Sequence, residues 1–144
     1  MRERGDAEFY ARARAIGRAM PPPPFGYLLT LDCYDCRPEL MCDLRAAYWA
    51  LDALANCLGM QKQAPPFVFI SPPHYAGKAG ISGWVPLIES GIQIHTLAAK
   101  NFVSLDVYCC RKIDRAIVVD IVNDCFSPSD IEINEIVRGK KYYA

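Results

Sequence analysis

Val103-Ser104-Leu105-Asp106-Val107-Tyr108-Cys109-Cys110 alternates between apolar side chains and side chains that can do chemistry. Val103, Leu105, Val107 and Cys109 fall on one side of an extended strand, and Ser104, Asp106, Tyr108 and Cys110 on the other, because successive side chains of a strand alternate. The segment before it repeats the split, with Ile92 and Ile94 alternating with Gln93 and His95. Each strand thus has an apolar face and a face equipped for chemistry. Such alternation belongs to an antiparallel sheet covered by helices on one side, and two neighbouring strands of this kind line a shared cleft.

Earlier in the chain, Tyr27 to Tyr34 reads as a strand and Pro38 to Leu58 as a long helix. Leu40, Leu44, Ala47, Leu51, Leu54 and Leu58 recur there at steps of four and three, and Gly59 is placed to stop it. Phe67 to Ile70 reads as a short buried strand fenced by the proline pairs that begin at Pro65 and Pro72. Ile81 to Ile88, Ile92 to Leu97 and Phe102 to Cys109 follow as strands, Ile113 to Asn123 as a second helix, and Ile131 to Val137 as a last strand. The order β-α-β-β then β-β-α-β predicts an α+β fold, with helices on one face of a largely antiparallel sheet and two halves that look like quasi-repeats. Residues 5 to 19 predict a short helix, ended by Pro21-Pro22-Pro23-Pro24, which cannot continue it. Residues 1–25 therefore read as an extension and 26–144 as the functional domain.

Composition narrows the class. A chain of 144 residues with 52% hydrophobic content suits one core, and a formal net charge of zero argues against nucleic acid or an anionic membrane surface as partner. No apolar run reaches transmembrane length and no signal-peptide core is evident, so a cytoplasmic protein is expected. Seven cysteines, an odd number with Cys109 and Cys110 adjacent, are not a secreted disulfide framework. Cys33-Tyr34-Asp35-Cys36 has metal or redox spacing, but there is no second such pair and His74 and His95 are the two histidines, so no metal centre is expected.

The chemistry-bearing residues come in a fixed order: Gly80-Ile81-Ser82-Gly83, Glu89-Ser90-Gly91, Ile94-His95-Thr96, then Asp106 to Cys110. Singly, each has a plainer reading. Ser90-Gly91 suits a turn, His95 a half-buried strand histidine, and Cys110 an inert core thiol. Jointly, their order and spacing resemble the S-adenosylmethionine decarboxylase family of polyamine and spermidine biosynthesis, over roughly Gly26 to Val137 and most strongly from Gly80 to Cys110. That family's proenzyme, a zymogen, cuts itself at a Glu-Ser bond and turns the serine into a covalent pyruvoyl group.

The resemblance implies a small-molecule decarboxylase. Removing carbon dioxide from an α-amino acid leaves electrons on the α-carbon, and a carbonyl cofactor that forms a Schiff base with the substrate amine can take them up. By the family pattern, cleavage falls between Glu89 and Ser90, Ser90 is the pyruvoyl precursor, Ser82 and His95 assist processing, and Cys110 is the proton donor. Family protomers of this size pair through their sheets, so a homodimer is expected.

Departures concentrate on the substrate. The family usually follows His-Thr with Trp-Pro-Glu, whose glutamate holds the ribose, and here Leu97, Ala98 and Ala99 stand there. The aromatic residue expected to stack on adenine is replaced by Ala76, with Tyr75 adjacent as a substitute, and Gly91 replaces a common histidine. Asp106 is the further candidate for contacting substrate, with Asp32 and Asp35 as other acids for a distal cation. Pyruvoyl-dependent decarboxylation of L-ornithine or L-arginine is therefore the alternative activity. A non-catalytic paralogue that activates a partner is the alternative class.

Overall fold

Two aspartates set where the helices begin. In the computed structural model, which describes residues 22–72 and 74–143 together with Ala11, Arg12 and Ala15, the side chain of Asp43 accepts from the backbone N–H groups of Arg45 (2.8 Å) and Ala46 (3.3 Å). It thereby caps helix α1, Leu44–Cys57. Asp114 does the same for α2, Arg115–Phe126, accepting from Ala116 at 3.1 Å and Ile117 at 3.5 Å. The single helix expected over Pro38 to Leu58 is therefore broken: Pro38–Leu40 forms a short 3-10 turn, and Asp43 restarts the chain as α-helix. The second helix likewise begins after its aspartate and runs on to Phe126, beyond the expected end. Gly59, at φ 64°, ends α1 in the left-handed conformation that favours glycine.

The strands are β1 (Gly26–Tyr34), β2 (Phe67–Ile70), β3 (Ile81–Leu87), β4 (Ser90–Leu97), β5 (Phe102–Cys109) and β6 (Asp130–Arg138). They form one antiparallel sheet in the order β2-β3-β4-β5-β1-β6. β1 lies between β5 and β6, so a strand of the first half is inserted into the second. The α+β reading holds, and the halves are interleaved rather than side by side.

Alternation places the core. Leu29, Leu31, Cys33, Ile92, Ile94, Val103, Leu105, Val107 and Cys109 are buried together with Ala47, Leu51, Leu54, Val118, Val122 and Phe126 of the helices. Each large apolar side chain so buried stabilises the fold by about 1.5–3 kcal/mol. The opposite face carries Thr30, Asp32, Ser82, Trp84, Gln93, His95, Ser104, Asp106 and Tyr108, by the same period of two.

β2 departs from expectation. It is not a buried strand but the sheet edge, with Phe67, Phe69 and Ile70 exposed. Its apolar composition mimics a core strand, but Phe67 and Phe69 pair with Trp84 and Ser82 and so project from the face opposite the helices.

By its contacts the chain divides into residues 26–138, which hold the sheet and both helices, and a second unit of residues 1–25 with 139–144. In the second unit Phe25 donates its N–H to Gly139 O at 3.1 Å, and its ring meets that of Tyr142 edge-on at 4.7 Å. The helix expected over residues 5 to 19 falls outside the described residues except at Ala11, Arg12 and Ala15, which are helical.

Candidate functional site

Strand register sorts the candidate residues into two clusters. In the first, Ser82 of β3 faces His95 of β4, and His95 Nδ1 lies 3.1 Å from Ser82 Oγ. Gln93, two residues back on the same face, places its amide nitrogen 3.2 Å from His95 Nε2. With that amide donating, Nε2 accepts, and Nδ1 carries the proton toward Ser82.

Two further features hold this cluster in place. Thr96, buried next to His95, accepts from Ile81 N–H at 2.8 Å and donates to Met41 O, fixing β4 to β3 and to the segment before α1. Gly80 has φ 153°, and a Cβ there would meet Thr96 O at 1.9 Å, so only glycine fits.

The second cluster lies at the β3–β4 turn. Ser90 opens β4 opposite Cys109, with a positive φ of 151° that is uncommon outside glycine. Cys110 N–H donates to Glu89 O at 3.2 Å. The Glu89 carboxylate is gripped from two sides: Oε2 accepts from Gln61 N–H at 3.1 Å, and Oε1 lies 3.4 Å from Arg111 Nη2. Arg111 Nη2 also donates to Gly59 O at 3.0 Å. Ile88 N–H and Gln63 N–H bond to Gln61 O and Pro86 O, so the chain leaving α1 braces the turn.

Ser90 and His95 are five residues apart on one strand, about 17 Å. A histidine side chain does not span that distance. Ser82 with His95, and Glu89 with Ser90 and Cys110, are thus brought together pairwise but not as one group within a chain.

Beside the first cluster is a cleft of about 380 Å³ lined by Phe67, Phe69, Ser82, Gly83, Trp84, Gln93 and His95. Sequence reasoning missed Phe67, Phe69 and Trp84 as site residues. The available signal was Trp84, two positions after Ser82 and so on the same face. Asp106 lies one strand from the cleft, paired with Gln93. Its carboxyl is held above the usual range by partial burial and then by Asp32, with His95 opposing. Tyr75 is in the β2–β3 loop, 57% exposed, its ring 4.4 Å from that of His74, and it does not line the cleft.

Cys33 and Cys36 face the interior, with Cys36 Sγ donating to Cys33 O at 3.6 Å. Burial pushes their thiols up to about 12 and about 11.

The class is that of a two-layer α+β protein with an antiparallel sheet backed by helices, and a solved structure, the adenosylmethionine decarboxylase of Aquifex aeolicus, shares it. The TM-score is 0.69 at 21% identity, covering 82% of this chain and 93% of that one. The chain belongs to the S-adenosylmethionine decarboxylase family, whose sequence profile matches residues 27–139. It is similar to the S-adenosylmethionine decarboxylase proenzyme of Pyrococcus furiosus, at 30% identity over 115 residues, 79% of this chain and 78% of that protein. A proenzyme of the same name from Clostridium botulinum is 28% identical over 116 residues, 80% and 95% of the two chains.

Proposed function

We propose that this chain is the proenzyme of a pyruvoyl-dependent S-adenosylmethionine decarboxylase that cleaves itself between Glu89 and Ser90. The observation that carries the reading is the hydrogen bond from Cys110 N–H to the Glu89 carbonyl oxygen, beside a serine at positive φ. That N–H sits where negative charge develops if Ser90 Oγ attacks the Glu89 carbonyl carbon, which is the place for an oxyanion donor.

Attack moves the acyl group from Ser90 nitrogen to Ser90 Oγ, giving an ester and a free amine. Removal of the Ser90 α-proton then expels the Glu89 carboxylate, and the dehydroalanine left behind takes up water and releases ammonia. Ser90 and its surroundings fit the resulting group: the residue opens a strand, and the turn before it is anchored through Gln61 and Arg111. A pyruvoyl carbonyl supplies the electron sink for decarboxylation. Cys110, exposed and next to the cross-strand partner of Ser90, is the residue to which this reading assigns return of the proton.

His95 is the base for α-proton removal, with Ser82 as its hydrogen-bonded partner. Because it lies about 17 Å along the strand from Ser90, it serves the Ser90 of a second copy, with the two sheets facing each other in a dimer. The aromatic lining of the cleft beside His95 supports a substrate that carries a planar heterocycle. For the distal cation of a basic amino acid the acids on this face are Asp106 and Asp32, which lie outside the lining.

The test mixes two inactive chains. Ser90→Ala protein has His95 but nothing to cleave, and His95→Ala protein has Ser90 but no base. Co-expressed, they should restore cleavage of the His95→Ala chain, read by intact mass. No cleavage in the mixture, with cleavage in wild type, overturns the shared site. An uncleaved wild type overturns the processing reading.

A further inference from the structure

The cleft beside His95 is built from rings that the processing chemistry does not use. Phe67 and Trp84 are cross-strand partners whose rings stack at 6.2 Å with planes 21° apart, which fixes the plane of the indole. Trp84 remains 48% exposed, leaving ring surface for a ligand. Its nitrogen edge reaches over Gly91, where a Cβ would lie only 2.9 Å from Nε1. The indole therefore extends from the Ser82–His95 pair toward the residue after Ser90, in space that a side chain at 91 would fill. Phe69 lines the cleft from β2, and Gln93 and His95 line it from β4.

We propose that Trp84 is the platform on which the planar heterocycle of the substrate stacks, a subsite that selects a nucleoside-bearing amino acid over a small basic one. It rests on the substrate reading above. The volume of about 380 Å³ and the apolar walls suit a small-molecule site. The platform lies on β3 and owes nothing to Ala76 or Tyr75 of the preceding loop.

Binding is measured on uncleaved Ser90→Ala protein carrying Trp49→Phe, so that Trp84 is the remaining tryptophan. S-adenosylmethionine and methylthioadenosine, which lacks the amino-acid part, should both quench its fluorescence, and L-ornithine and L-arginine should not. By calorimetry, Trp84→Ala should weaken binding of both nucleosides by about 10- to 100-fold, as removal of a base-stacking ring does. Trp84→Phe should recover most of it. Gly91→Ala, which keeps the ring but displaces it, should weaken binding too, so the test survives a misfolded Trp84→Ala chain. In processed enzyme, Trp84→Ala should raise KM far more than it lowers kcat. Equal nucleoside affinity with and without the ring, or quenching by the amino acids alone, overturns the platform. Because binding is read before cleavage, failure of the processing reading shows separately as an uncleaved wild type.

An independent set of contacts concerns the other cluster. We infer that Arg111 is a positioning residue for self-cleavage: by joining Glu89 Oε1 to Gly59 O, it aligns the Glu89 carbonyl between Ser90 and Cys110 N–H. Release of one such anchor should slow cleavage by about 10- to 100-fold.

In a His95→Ala background the ester should accumulate and be cut by hydroxylamine. Adding Arg111→Ala should lower that yield, and Arg111→Lys should restore part of it. The ion pair is partly exposed, with 38% and 18% of the two side chains accessible, so high salt should slow wild-type cleavage and leave Arg111→Ala unaffected. Unchanged ester yield, or equal salt dependence in both proteins, overturns the assignment.

Discussion

Cys110 donates its backbone N–H to the carbonyl oxygen of Glu89 at 3.2 Å, across the β4–β5 ladder. The acceptor belongs to the peptide bond before Ser90. A hydrogen bond there stabilises the charge that an attacking hydroxyl creates, and such a donor contributes about 10²–10³ in rate in other acyl transfers. Wild-type protein is expected to resolve by denaturing mass spectrometry into residues 1–89 and a ketone-bearing 90–144. Ser90→Ala should stay one chain.

His95→Ala is expected to separate the two halves of maturation. The ester still forms, since Ser90 and Cys110 N–H remain, but the α-proton stays in place. Hydroxylamine should release the fragment ending at Glu89, whereas Ser90→Ala protein should resist it. Full maturation of His95→Ala at the wild-type rate would remove the histidine from the pathway.

The strands with clean alternation, Tyr27 to Tyr34 and Phe102 to Cys109, were legible because burial on one face imposes period two, and both lie within a residue of their expected limits. β2 was not, since an exposed edge strand and a buried one share the same apolar composition. Insertion of β1 between β5 and β6 leaves no local sequence mark. At the site, the Ser82–His95 contact was implicit in an order of residues that places two strands side by side. Arg111 and Gln61 act through a turn whose partners are 22 and 28 residues away in sequence, beyond any periodicity.

The seven thiols should fall into two reactivity classes. Cys42, Cys57 and Cys110 are exposed, while Cys33, Cys36, Cys109 and Cys125 are buried. Burial raises Cys33 and Cys125 to about 12 and Cys36 to about 11, and raises Cys109 as well, so few of these thiolates form at pH 8. Labelling native protein at that pH should modify the three exposed cysteines first. Cys110→Ala should mature but turn over slowly, and thiol labelling of its other cysteines should leave the residual activity intact.

Asp106 carries a carboxyl raised by partial burial and by Asp32. A carboxyl whose folded pKa exceeds its unfolded value penalises the fold at pH values above the folded pKa, where it must ionise beside Asp32. The penalty disappears below the unfolded value, where both states hold the proton. Asp106→Asn should therefore raise Tm at pH 7, and the gain should shrink as pH falls through the ordinary aspartate range. A gain independent of pH would point to packing instead. Lost turnover in the same variant, with cleavage intact, would place Asp106 against substrate.

Thr96 offers the sharpest stability test, because its hydroxyl serves two buried backbone groups at once: it accepts from Ile81 N–H and donates to Met41 O. Valine keeps the shape and leaves both groups without that partner. Each buried polar group left unsatisfied costs about 1–3 kcal/mol. Thr96→Val is expected to lower unfolding free energy by about 2–5 kcal/mol, the sum of two such losses with partial relaxation. Thr96→Ser keeps the hydroxyl and should lose only the methyl contact, about 1 kcal/mol. Denaturant melts of both variants in a Ser90→Ala background, where no cleavage intervenes, read these differences directly. Near-equal midpoints for the valine and serine variants would show that the hydroxyl does not hold β4 to its neighbours.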